Sequence, residues 1–189
     1  LEDLVGVADM RVADLTRHYT MRAQAADAIA QAPWPRFAVV GLSMGGYCAH
    51  EVWRQASDRV LGLALLDTSA RPETAEATAN REKLMALAKH DFAGVVETLL
   101  PKFMSAKHAA DPRLAAIVRG MAQRVGPEAF ARQERAIISR ADSRPQLAGI
   151  DRPTLVLTGD EDALITLEWR RCRRSRRGHV ACLGGNGCG

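Results

Sequence analysis

The sequence predicts an α/β fold, a mostly parallel sheet with helices on both faces and a helical insertion. Three observations predict it. Residues 37–40 and 60–66 are continuous apolar runs, not alternating ones, as strands buried on both faces of a parallel sheet are. A glycine-flanked turn and a helix-period stripe connect the first run to the second. About seventy residues of helical pattern with no strand then precede a third run at 153–158, too many for one crossover.

In chain order, residues 1–4 read as a helix end, Met10 to Asp14 as a strand, and 15–18 as a loop. Residues 20–31, rich in Ala, Met and Gln, read as a helix, which Ala32-Pro33-Trp34-Pro35 stops because proline cannot continue it. The first apolar run enters Gly41-Leu42-Ser43-Met44-Gly45. Beyond it, Gly45, Cys48, Ala49, Val52, Trp53 and Ala56 form the stripe of a core-facing helix, with His50, Glu51, Arg54 and Gln55 on the face predicted to meet solvent. The second run ends in a polar loop at 67–72. Within 73–146, Phe92, Val95, Val96, Leu99, Leu100 and Phe103 fall on one helical face, and Leu114, Ile117, Val118, Met121, Ala122 and Val125 on another. Gly126-Pro127 ends one helix and opens the next, which runs to about residue 141 with Phe130 and Ile137 inward. The third strand leads into Gly159-Asp160-Glu161-Asp162.

Gly-x-Ser-x-Gly between a strand and a helix describes a nucleophile elbow, which presents a serine hydroxyl at the end of a sheet. The bare pattern recurs by chance in about 6% of chains this long, so the strand before it and the helix after it carry the inference. The glycines are expected where strand and helix nearly touch. The helix N-terminus favours developing negative charge beside Ser43. An ordinary glycine-rich strand-to-helix turn is the competing explanation.

Composition is ordinary for a globular protein, with 47% apolar and 25% charged residues. No apolar run approaches the ~20 residues of a membrane span. The chain opens at Leu1 with neither an initiator Met nor a secretory leader, giving an expectation of a cytoplasmic protein. Residues 167–189 carry six Arg and one Glu, while the remainder holds 20 basic and 21 acidic residues, so the net +4 resides in the tail. A near-neutral body gives no case for nucleic acid. The tail has neither helical nor strand period and is expected to be disordered. Three of four cysteines lie in it, which is no disulfide framework, and Cys48 is expected to be a buried thiol. No His/Cys spacing points to zinc.

These residues resemble the α/β-hydrolase superfamily, most closely the small capped bacterial serine hydrolases of the enol-lactonase and carboxylesterase type. The resemblance rests on 37–47, 59–71 and 153–162 and spans roughly 5–166. It implies a partial α/β-hydrolase-like fold, with an incomplete core at 1–72 and 147–166 and a helical cap at 73–146. It implies Ser43 as nucleophile, Asp162 after the late strand as acid, the Met44 N–H as oxyanion donor, and His179 in Gly178-His179 as base, with no cofactor. Asp67 is the alternative acid, Asp160 and Glu161 are neighbouring carboxylates, and His18 is the alternative base; His50, His90 and His108 are expected on the surface. His179 follows Asp162 by roughly 17 residues, where a βαβ unit takes ~30, so 167–189 departs from the family pattern and reads as a replaced terminus. The family's opening strands, with their second oxyanion donor, have no counterpart here.

The implied activity is hydrolysis of a small ester, lactone or related acyl compound, with no nucleic-acid or membrane partner. The alternatives are a catalytically inactive remnant or binding module and, more weakly, an interaction protein working through the basic tail. A sheet without its early strands has an open edge, from which poor solubility or self-association is expected.

Overall fold

The computed structural model describes residues 6–159 and 178–183, the last six as backbone course alone. Expectations for residues 1–4, for Asp160, Glu161 and Asp162, and for most of the tail lie outside the described residues.

After an irregular entry, the elements are α1 (Met21–Gln31), β1 (Phe37–Leu42), α2 (Met44–Ala56) and β2 (Val60–Leu66). An all-helical stretch follows: α3 (Ala75–Ala88), α4 (Phe92–Leu99), α5 (Ala106–Ala109), α6 (Pro112–Ile138) and α7 (Arg144–Leu147). The chain returns to the sheet with β3 (Thr154–Gly159) and β4 (Gly178–Leu183). The sheet runs β1-β2-β3-β4, every neighbouring pair parallel.

Local chemistry sets the helix starts. Thr20, Thr74, Asp91 and Asp111 each accept a bond from a backbone N–H of the helix they precede, satisfying a donor that has no partner within the helix. Gly126 breaks α6 at φ 73°, and Pro127 restarts it. Three expectations give way. Met10 to Asp14 form no strand, because no neighbouring backbone pairs with them. Phe103, Ile117 and Met121 are exposed, since the described residues place nothing over that side of the inserted helices. In the tail, residues 178–183 pair as a strand despite lacking a period, because pairing beside β3 uses backbone groups.

The core lies on one face of the sheet. Val39, Leu63, Leu65 and Val156 point into it, meeting Met21 and Ala25 of α1 and Cys48, Ala49, Val52 and Trp53 of α2. Ala136 and Ile137 of α6, with Leu147 and Ile150, close the same cluster. The opposite face carries Val40 at 66% exposure, Leu42 at 61% and Leu155 at 39%. Among the described residues β1 pairs on one side only, with β2, and is an open edge.

Candidate active site

The β1–α2 junction is a sharp turn. Ser43 sits at φ 52°, ψ −114°, outside the regions that L-residues prefer, and its side chain makes no capping bond to the helix it precedes. The surroundings hold it there. Its N–H donates to Leu66 O at 2.9 Å, and its carbonyl accepts from Gly46 N–H at 2.9 Å and Thr68 Oγ1 at 2.8 Å. The residue is exposed, and α2 begins at Met44, so the Met44 N–H lies in the helix's unpaired first turn beside it.

The close approach behind the glycines differs from the sequence expectation in one position. A Cβ on Gly41 would lie 2.3 Å from Gly45 O, so strand and helix do nearly touch there. A Cβ on Gly45 would meet nothing within 4 Å, whereas one on Gly46 would lie 2.3 Å from Thr68 Oγ1. The second crowded glycine is Gly46.

Asp67 follows β2 at φ 40°; its N–H donates to Leu157 O at 2.8 Å, and its Oδ1 accepts from Gly159 N–H at 2.8 Å. This carboxylate ties the carboxyl ends of β2 and β3 together on the edge where Ser43 emerges. Asp162 lies outside the described residues. The backbone of His179 runs in β4 opposite Leu155. His18 Nε2 lies 3.2 Å from Asp27 Oδ2 of α1, a pairing that accounts for it away from the serine. His90 and His108 are exposed, as expected.

His50 is not on the surface. It is 1% exposed, neither ring nitrogen has a hydrogen-bond partner among the described residues, and burial, with Arg54 nearby, pushes its pKa down to about 4. Glu51 is buried beside it and pairs with Arg54. Residues 139–147 cover this side of α2: Gln146 donates to His50 O at 3.0 Å, and Arg54 donates to Ser143 Oγ at 3.1 Å. No local signal marks this cover, since it comes from residues about 90 positions away in sequence. A cavity of about 10 Å³ between them, room for about one water, is lined by Tyr47, His50, Arg54, Arg140 and Ser143 and not by Ser43. Cys48 is buried as expected, its thiol pushed up to about 12.

Sequence reasoning did not single out Arg140. It donates to both carboxylate oxygens of Glu73, at 2.8 and 3.2 Å, and to Arg71 O at 2.9 Å, and its guanidinium lies 4.3 Å from the centre of the Tyr47 ring. Glu73 also binds Arg81, which reaches Glu134 of α6 at 2.7 Å.

A family description of the alpha/beta hydrolase fold matches residues 10–176. Among solved structures, an esterase from Thermogutta terrifontis, determined with malate bound, shares 29% identity at a TM-score of 0.79 over 88% of this chain and 64% of its own. The enol-lactonase from Burkholderia xenovorans LB400 shares 27% identity at a TM-score of 0.66 over 75% and 55% respectively. A hydrolase from Pseudomonas aeruginosa PA01, 22% identical with a TM-score of 0.73, has the same fold. No curated protein matches the chain. The chain thus spans less than two thirds of the length of these structures. Among the described residues no cluster of His, Cys, Asp or Glu could hold a metal ion, and no helix is long and apolar enough to cross a membrane.

Proposed function

The chain belongs to the alpha/beta hydrolase fold family, and from that premise we propose that it is a serine hydrolase acting on a small ester, lactone or related acyl compound through Ser43. The observation that carries this reading is Ser43 itself, exposed, at φ 52°, on a turn between β1 and the first residue of α2. A serine that only terminated a strand has no need of that strain, which costs on the order of 1–3 kcal/mol.

In the proposed reaction, Ser43 Oγ attacks the acyl carbon while a base takes its proton. The tetrahedral oxyanion meets the Met44 N–H and the N-terminus of α2. Collapse expels the leaving group, which takes the proton back, and leaves an acyl-serine. Water, deprotonated by the same base, attacks the acyl carbon; the bond to Ser43 Oγ breaks, the acid leaves, and the base returns the proton to Ser43 Oγ. His179 is assigned as the base and Asp162 as the carboxylate that orients it, with Asp67 the alternative acid on the same sheet edge. The helices α3 to α7 between β2 and β3 are assigned as a cap that shapes the acyl pocket. The esterase and enol-lactonase likenesses, at 29% and 27% identity, support the substrate class. No cofactor is required by this chemistry.

Labelling with a fluorophosphonate probe tests the reading. The wild-type chain is expected to label and Ser43→Ala not to. His179→Ala and Asp162→Asn are each expected to slow labelling by a factor on the order of 10² or more. Folded wild-type protein that does not label overturns the assignment. The second reading, a fold kept without catalysis, would then stand, favoured by the β1 edge left unpaired among the described residues.

A further inference from the structure

Residues 139–147 lie along α2 as a strap, touching it at successive turns. Gln146 binds the His50 carbonyl and Ser143 binds Arg54, both past the first turn. Arg140 adds a third contact, with its guanidinium over the ring of Tyr47. Tyr47 is the fourth residue of α2, in the first turn that Ser43 precedes. Of these three contacts, that of Arg140 lies on the turn nearest the serine.

Arg140 is itself held. Glu73 takes two of its N–H groups, Arg71 O a third, and only 9% of its side chain is exposed. Glu73 is fixed in turn by Arg81, and Arg81 by Glu134 of α6. A planar cation clamped this way presents a fixed face to the ring, and such a contact strengthens as it is desolvated.

We propose that Arg140 is a positioning residue: by stacking on Tyr47 while gripped by Glu73, it holds the first turn of α2, and with it the orientation of Ser43 and the Met44 N–H, in register with the inserted helices. Its catalytic consequence rests on the serine-hydrolase reading; its effect on α2 does not. Lysine cannot replace it, because an ammonium has no plane to lay on the ring and cannot grip both Glu73 oxygens and Arg71 O at once.

The test measures amide hydrogen exchange over residues 43–50, together with the fluorophosphonate labelling rate, in R140K, Y47L, Y47F and the R140K/Y47L double variant. R140K and Y47L are each expected to speed exchange of the hydrogen-bonded Ser43 and Gly46 amides by about tenfold and to slow labelling by a similar factor. Exchange in α1 should stay as in wild type. The double variant should be no worse than either single one, and Y47F, which keeps the ring face, should restore what Y47L loses. Exchange of the Ser43 and Gly46 amides that stays at the wild-type rate in R140K and Y47L overturns the proposal. So do effects that multiply in the double variant, and exchange that rises throughout the chain. Wild-type protein that fails to label refutes the serine reading alone, and the exchange measurement still decides the role of Arg140.

Discussion

Gly41 and Gly45 flank Ser43 symmetrically in sequence and unequally in space. With 2.3 Å between an added Cβ and Gly45 O, Gly41→Ala must push the helix off the strand; a loss of about 1–3 kcal/mol in urea unfolding, with loss of probe labelling, is expected. Gly45→Ala meets open space, and exchanging glycine for a helix former there is expected to leave stability unchanged or raise it by up to about 1 kcal/mol. His50 sets a pH limit. Its folded pKa of about 4 lies below the ordinary 6.5, so the folded state resists the proton that the unfolded chain accepts. Stability is therefore full above pH 6.5, falls as the pH drops from there toward 4, and levels off below, with a total loss on the order of 3 kcal/mol. His50→Leu is expected to flatten that part of the stability profile; an unchanged slope would show that the ring is accessible to protons when folded. Ser43 was legible in the sequence because its signals are local, two glycines and a change from strand to helix period. The burial of His50 and Glu51 was not, because the residues that cover them lie about 90 positions away and nothing in α2 itself encodes that cover.

The helices were legible where proline and glycine punctuate them: Ala32-Pro33-Trp34-Pro35 stops α1, and Gly126-Pro127 marks the break in α6. What the periodic stripes could not distinguish is a face that packs from one that merely repeats: Val95 is fully buried and Ala115 is 5% exposed, yet Ile117 is 58% exposed. The strands divide by the same logic. Long apolar runs announced β1, β2 and β3, while the Met10 to Asp14 segment shows that strand-like composition without a partner backbone forms nothing. At the break in α6, Gly126 adopts φ 73°, and a Cβ there would touch nothing within 4 Å. Gly126→Ala thus isolates backbone strain from crowding. It is expected to lower unfolding stability by about 1 kcal/mol, and a neutral result would mean that the break straightens at little cost.

Half of the sheet's surface is committed to the core and half is not. Val40, Leu42 and Leu155 are exposed on one apolar face, and β1 leaves its outer backbone groups unpaired among the described residues. Both features favour association. Val40→Lys with Leu42→Lys is expected to shift the sedimentation profile toward monomer while retaining the far-ultraviolet helical signal; an unchanged profile would assign association elsewhere. The placement of the inserted helices also bears on how the chain reaches this state. The Phe37 N–H to Arg59 O bond closes a short segment, whereas the Asp67–Gly159 bond joins residues 92 apart. Closing the longer segment costs only about 1 kcal/mol more in chain entropy, since each doubling adds about 0.6 kcal/mol. Its effect falls on time instead, because contacts so distant in sequence slow the search for the native pairing. The β1–α2–β2 unit, with Ser43 at its turn, can assemble early from neighbouring residues, while β3 must wait for the helices between to gather. The strained turn thus belongs to the unit whose contacts lie closest in sequence, the kind that needs the least search to form.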